Sequence, residues 1–373
     1  MKAIFFGDLC ITKSNADIFV AGKGGDIFSK KFIDVVESCD FFSFNLECPL
    51  IKKNSKPINK CGPSLGANAD CINGINYLKP SLICLANNHL YDYGFEGFET
   101  TLEVLKKNNI NFIGNTNNGL KNNVFIKHGI GIINFCENEF SFNYLDKAGA
   151  CCLNSTVFPQ IVELKKRVNK VVVIFHGGTE NFPYPSPNLV TTCHSFVDLG
   201  ADLVLCQHSH CIGCYEKYNE STIVYGQGNF LFDEYSKEDA WVYGIGVIFD
   251  SDSNNVSFVV TNFKNGMVDV SSKNDSVILN NFYDRSKELQ NGNYLKKYKT
   301  FCNDRYNKFL CKLGGYSKIR TGVEVLLFKG FFINKRYNKK RLLTLFDILN
   351  CESHQELIKT AMIEKAFKKT NNK

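Results

Sequence analysis

Over its first 250 residues the chain alternates short, mostly apolar runs with helix-like stretches, and no other feature restricts the fold as much. Residues 3–6, 41–44, 82–85, 111–113, 131–135, 171–175, 203–206 and 222–225 are apolar and bounded by polar residues or glycine, as buried strands are. Between them lie helix signals. In residues 97–108, Phe98, Leu102 and Leu105 recur at helical spacing, and residues 189–199 stop at Gly200. Strand and helix in alternation predict an α/β fold. From residue 241 to 277 apolar and polar positions alternate around the turn Asp250-Ser251-Asp252-Ser253-Asn254, which predicts antiparallel strands at a sheet edge. Beyond residue 280 the composition shifts to Lys, Asn, Tyr and Phe, with helical stretches at 341–349 and 354–367. The expected organisation is therefore an α/β domain over 1–280 and a basic, mainly helical extension over 281–373, with residues 368–373 disordered.

Charge follows the same division. Of the formal +7, residues 281–373 contribute +13, from 21 Lys/Arg against 8 Asp/Glu, which leaves −6 on residues 1–280. Sixteen cysteines in 373 residues are too dilute for a disulfide scaffold, so reduced thiols are expected. No window approaches the apolar length of a membrane span, and the first residues lack the pattern of a signal peptide. A soluble, unprocessed, cytoplasmic chain is the expectation.

Four of the seven histidines and several acids fall just past predicted strand ends, where open α/β sheets place their ligand sites. Asp8 follows the first run through Gly7, and Glu47 follows the second, although each alone fits a turn or a solvated loop acid equally well. Asn88 and His89 end the segment Leu85-Ala86-Asn87-Asn88-His89, where an apolar strand gives way to amides and an imidazole. His176 closes the most hydrophobic run and precedes Gly177-Gly178, which leave room for a ligand; a satisfied structural histidine is the alternative. His208 and His210, separated by Ser209, would share one face of an extended segment and so form a chelate. Cys211 and Cys214 offer a zinc alternative, which lacks a second ligand pair. Together these residues form a mixed N/O set suited to two divalent ions such as Mn, Fe or Zn, which could drive phosphoryl displacement.

In this order, Gly7-Asp8, Asn45-Leu46-Glu47, Asn88-His89, His176 and His208-Ser209-His210 resemble the calcineurin-like metallophosphoesterase superfamily. The stretches Asn45-Leu46-Glu47-Cys48-Pro49-Leu50, Asp92-Tyr93-Gly94, Gly200-Ala201-Asp202-Leu203-Val204 and Tyr225-Gly226-Gln227-Gly228-Asn229-Phe230-Leu231-Phe232 resemble its capsule synthesis (CapA, poly-γ-glutamate biosynthesis) branch, over roughly residues 1–250. The resemblance implies a four-layer αββα sandwich carrying a dinuclear site. Position by position, it implies Asp8 and His210 on one metal, Asn88, His176 and His208 on the other, and Glu47 bridging where the wider superfamily has Asp. It makes His89 the general acid, with Asp92 orienting His89 or a neighbouring ligand.

Cys10 stands where the superfamily has a histidine, and reads either as a thiolate ligand for zinc or iron or as a small buried residue. The implied function is hydrolysis of a phosphoester in capsule or exopolysaccharide biosynthesis. The alternative is a metal-binding component, without turnover, of a capsule or poly-γ-glutamate synthesis complex. Glu137-Asn138-Glu139 and the proline-rich residues 181–187 could border such a site as polar turn and substrate wall, or be ordinary loops. Expected partners of the basic extension are capsule-synthesis proteins or the anionic inner face of a membrane. No nucleic-acid recognition motif accompanies it, and a nucleic-acid partner is not expected.

Overall fold

The computed structural model describes residues 1–373 except 61, 144–147, 233–238, 265, 272–275, 352–353, 356–357, 360–361 and 363–373. The expected disorder of residues 368–373, and much of the helix expected over 354–367, lie outside the described residues. The chain divides into two compact units, Met1–Tyr294 and Leu295–Lys373.

The first unit is built on two sheets. The strands of these two sheets, in chain order, are β1 (Lys2–Leu9), β2 (Phe41–Leu46), β3 (Leu82–Cys84), β4 (Phe112–Ile113), β5 (Val124–Lys127), β6 (Ile130–Cys136), β7 (Lys170–His176), β8 (Leu203–Gln207), β9 (Tyr215–Tyr218), β10 (Ser221–Tyr225), β11 (Asn229–Leu231), β12 (Tyr243–Asp250), β13 (Asn255–Lys264) and β14 (Met267–Val270). The first sheet runs β14-β13-β12-β1-β2-β3-β4 with β11 beside β1, and the second runs β9-β10-β8-β7-β6-β5. Strands β1 to β4 pair in parallel, as do β6, β7, β8 and β10. Within these two sheets, antiparallel pairing is confined to β12–β14 at one edge and to β5 and β9 at the margins of the second, while residues 115–117, 120–122, 142–143 and 148–150 form a small antiparallel sheet of their own. Residues 243–250, 255–264 and 267–270 thus form the antiparallel edge that the alternation over 241–277 predicts, while Ser276 and Val277 already belong to the next helix.

Parallel strands covered on both faces need apolar side chains on both, which explains the uninterrupted run Val171-Val172-Val173-Ile174-Phe175. Phe5 and Phe41 of the first sheet share one buried cluster with Ile132, Val172, Ile174 and Leu205 of the second, so the sheets pack face to face. The outer face of the first sheet, with Phe6, Phe42 and Phe44, buries against helical residues that include Phe32 of α1 (Lys30–Glu37), Ile75 of α2 (Ile72–Tyr77) and Phe98 of α3 (Gly94–Lys107). On the second sheet Phe135 and Phe175 lie 5.2 and 6.0 Å, ring to ring, from Phe196 of α5 (Pro187–Asp198), beside α4 (Val157–Lys165). The order of layers is helix, sheet, sheet, helix: a four-layer αββα sandwich.

Helix α6 (Ser276–Gln290) belongs to this unit although its composition is that of the extension. Phe282 stacks on Tyr215 at 5.2 Å, and Arg285 donates to the carbonyls of Ile212 and Gly213. Composition registers the change in surface chemistry at residue 281, whereas the compact unit ends where these contacts end.

The second unit contains α7 (Tyr294–Leu313) from Leu295 onward, α8 (Lys318–Leu326), α9 (Phe331–Arg336) and α10 (Lys339–Asn350). Its buried core consists of Leu310, Cys311 and Ile333, with Tyr316, Tyr337 and Leu342 packed against them. Among the described residues no helix is long and apolar enough to cross a membrane.

Candidate metal centre

Five parallel strands converge on one crevice. Asp8 lies near the end of β1, and Glu47 directly follows β2. Asn88 and His89 follow β3, His176 ends β7, and His208 and His210 follow β8. All are buried, Asp8 and Glu47 completely. A close approach of backbones sets the first of them: a Cβ on Gly7 would stand 2.1 Å from the Gly228 carbonyl oxygen, so only glycine lets β1 and the chain leading into β11 come together beside Asp8.

The ligand-type atoms fall into two groups that share one carboxylate. Glu47, His176 and His208 form the first, and Asp8, Glu47 and His210 the second, with the atoms of each group within 4.8 Å of one another. His176 Nε2 lies 3.5 Å from Glu47 Oε1, 3.1 Å from His208 Nδ1 and 3.0 Å from Asn88 Oδ1, which adds the Asn88 amide oxygen to the first group. His210 Nε2 lies 3.8 Å from Glu47 Oε1. Its Nδ1 donates to Asn229 Oδ1 at 2.9 Å, which fixes the tautomer and leaves Nε2 as the electron-pair donor.

His208 and His210 do not act as an extended pair on one face. Their backbones are left-handed, with φ of 82° and 53°, and their ring centroids are 6.0 Å apart, so the two imidazoles diverge into different groups. The chain leaves β8 as a tight turn, and such strained non-glycine residues gather at functional sites. Cys10 stands in neither group: it is buried between Leu9 and Ile11 in the hydrophobic cluster, and its backbone N–H donates to the Leu231 carbonyl. The group containing Asp8 therefore has one imidazole. Cys211 and Cys214 are buried as well, and among the described residues neither joins a cluster of three ligand-type side chains.

Charge is distributed unevenly across the crevice. Burial opposes the ionised form of Asp8, but His176 and His210, with hydrogen bonds from His176 and Asn45, outweigh it and hold the carboxyl at about 2. His176 is pushed the other way. Burial disfavours its imidazolium, yet Glu47 and Asp8 together raise it to about 10. For His208 burial and the neighbouring charges of His176 and His210 act in the same direction, so it stays neutral well below its ordinary value.

A bound cation must displace the His176 proton, whereas Asp8 is already ionised and His208 already neutral. Loading with Mn²⁺ or Zn²⁺ at neutral pH is therefore expected to release at least about one proton per chain, with affinity rising up to about tenfold per pH unit. Trp241, the chain's single tryptophan, stacks on His210 at 4.4 Å, so its emission can follow the titration. Affinity that does not change with pH would remove His176 from the centre.

Two residues at the site, Asn45 and Lys60, lay outside the sequence expectations. Asn45 Nδ2 donates to Asp8 Oδ1 at 2.8 Å and lies 3.3 Å from His176 Nδ1; its signal is a lone amide in an apolar strand. Asp92 accepts from His89 Nδ1 at 2.6 Å and from the Leu65 N–H at 2.7 Å, and its other oxygen binds Lys60 Nζ. The ammonium of Lys60 also lies 3.3 Å from His89 Nδ1, with its side chain only 4% exposed. Nothing in the sequence marks Lys60, which sits in a loop rich in lysines. At the rim, Glu139 Oε1 lies 3.9 Å from His208 Nε2, and Asn181 accepts from Trp241 Nε1 at 2.8 Å. The polar turn and the proline-rich loop thus both border the crevice.

The fold and site thus define a four-layer αββα sandwich with a histidine and carboxylate cluster at its strand ends. The profile of the bacterial capsule synthesis protein family, PGA_cap, matches residues 2–234, and the chain belongs to that family. It is similar to the capsule biosynthesis protein CapA of Bacillus anthracis, 25% identical over 244 residues that cover 61% of this chain and 59% of that protein. It is also similar to the PGA biosynthesis protein CapA of Bacillus subtilis, at 27% identity with 63% and 64% covered. The chain thus spans about three-fifths of the length of these curated relatives. Among solved structures, a 5'-nucleotidase from Candida albicans aligns with 70% of this chain and 52% of its own, at 11% identity and a TM-score of 0.39.

Proposed function

We propose that the protein is a metal-dependent phosphoester hydrolase acting in capsule or exopolysaccharide biosynthesis. The observation that carries the reading is Glu47: fully buried, shared by both groups, and without a hydrogen-bond partner for either carboxylate oxygen. The His176 imidazolium, 3.5 Å away, offsets the buried charge from one side, and a metal cation would complete it and satisfy the two oxygens. The surrounding imidazole, carboxylate and amide donors suit Mn, Fe or Zn. Asn88, His176 and His208 would hold one ion, Asp8 and His210 the other, with Glu47 between them. Bound there, divalent ions supply Lewis-acid polarisation of a phosphoryl oxygen and a nucleophilic water near neutral pH.

The chain's own residues do the rest. Asn45 and the His208 N–H, at 2.8 and 3.1 Å, hold the Asp8 carboxylate in place. Asp92 holds a proton on His89 Nδ1, so the imidazolium would deliver its Nε2 proton to the departing alkoxide and be left as the neutral Nδ1–H tautomer. Lys60 in turn holds Asp92. Lys60→Met is therefore expected to keep the metal content and lower turnover about 10- to 100-fold, the scale of lost outer-shell partners. Unchanged turnover would leave Lys60 a structural cation.

The place in surface-polymer synthesis rests on the names of the two Bacillus relatives. A second reading, a metal-binding component without turnover, is favoured by one observation: Cys10 points into the hydrophobic cluster, so the Asp8 group has a single imidazole. The test is to count Mn, Fe and Zn per purified chain and to assay phosphomonoesters and diesters beside His176→Ala. Chelator-sensitive turnover that is lost in the variant is expected. Metal-bearing protein that hydrolyses no phosphoester would establish the second reading.

A further inference from the structure

We propose that residues 318–349 form a surface that seats the protein on a bilayer carrying anionic headgroups. The second unit leaves an unusual amount of apolar side chain in solvent. On α8, Ile319, Val323 and Leu326 recur at helical spacing and all are exposed, Ile319 and Leu326 by 81% and 79%. On α10, Leu343, Phe346 and Leu349 repeat the arrangement. Such spacing is the pattern of a face meant for burial. Between the two helices, Leu327, Phe328, Phe331 and Phe332 are exposed as well, with the Phe332 ring 5.1 Å from that of Phe328 and 5.2 Å from that of Phe331. The core of this unit is occupied by Leu310, Cys311 and Ile333, so these side chains are surplus to it.

The charge of the same segment identifies the occupant. Lys318, Arg320, Lys329, Lys335, Arg336, Lys339, Lys340 and Arg341 are all exposed. The one acid from 318 to 341 is Glu324, and it is withdrawn from the surface: it is buried and accepts from the Ile333 N–H at 2.9 Å. Over the whole of 318–349 these eight outward cations face a single exposed acid, Asp347, and that excess favours an anionic partner. A polyanion dissolved in water, whether nucleic acid or an acidic capsule polymer, would engage the cations and leave the leucines and phenylalanines wet. A bilayer meets both demands, with anionic headgroups above and hydrocarbon a few ångströms below. As no described helix can span a membrane, this segment would lie in the interface plane.

The test is flotation of the full chain with vesicles of phosphatidylcholine alone or mixed with phosphatidylglycerol. Binding to the mixed vesicles only, weakened but not abolished as salt shortens the screening length, is expected. Exposed positions can be changed without touching the core, so the variant Leu326→Ser, Leu327→Ser, Phe331→Ser, Phe332→Ser should melt as the parent does and lose vesicle binding at least about tenfold. Lys335→Glu with Arg336→Glu should reduce it as well, which separates charge from apolar insertion. Equal binding to both vesicle types would overturn the proposal. So would undiminished binding by the serine variant, or binding to polyglutamate or polynucleotide with none to vesicles.

Discussion

Glu47→Gln is expected to lower the bound metal from about two ions per chain to less than one and to cut phosphoester turnover at least about 10³-fold, the scale on which removing one preorganised electrostatic element acts. The change is isosteric, so it alters charge and little else. Neither Glu47 oxygen has a hydrogen bond to lose, and the main protein contact affected is the 3.5 Å approach of His176 Nε2. The fold should therefore survive, which a circular dichroism melt can check. The loss falls on both groups at once because Glu47 is the one side chain they share. His176 would also lose one of the two carboxylates that hold its proton, so proton release on metal addition should shrink in the same variant. Elemental analysis and turnover decide the matter: a Gln variant with wild-type metal and activity would place Glu47 outside the centre.

His89→Gln should give the complementary result, a loss of about 10²- to 10⁴-fold in turnover with the metal content intact. His89 belongs to neither ligand group, and its Nδ1 is committed to Asp92. Its proposed task is to protonate the departing oxygen, and that task matters in proportion to the basicity of the leaving group. Alkyl phosphates should therefore lose most of their turnover in the variant, while p-nitrophenyl esters, which leave without protonation, should lose much less. Equal losses on both substrates would point to a positioning role for His89. Loss of metal along with activity would make it a ligand.

Much of the architecture was legible in the sequence because parallel strands covered on both faces cannot hide their composition. The run 171–175 and the alternation of residues 241–277 each announced the strand type that forms. The strand-end positions of Asp8, Glu47, Asn88 and His176 were legible for a related reason, since a buried apolar run that ends in a polar or ionisable residue has few other uses for it. His208 and His210 were found as a pair but assigned the wrong backbone. An extended segment is the default geometry after a strand, and nothing local announces that both residues adopt positive φ. Helix α6 was separated from its unit because its surface resembles the extension, while Phe282 and Arg285, which bind it to the first unit, are too few to shift the composition.

By itself, then, the sequence determined the α/β class, the order of the strands along the chain, the basic extension and most of the candidate ligands, because these are properties of local pattern and residue type. Only the tertiary structure decided which of these side chains stand within reach of one another. Glu47 belongs to both groups because β1, β2, β7 and β8 bring their ends together from two sheets, and distances across that crevice have no counterpart in sequence spacing. Tertiary contacts likewise decided that Cys10 packs with leucine and isoleucine, that Lys60 reaches Asp92 from a lysine-rich loop, and that Trp241 lies against His210. Each of these outcomes depends on burial and approach between segments distant in the chain, and pairwise geometry of that kind appears only when the chain has folded.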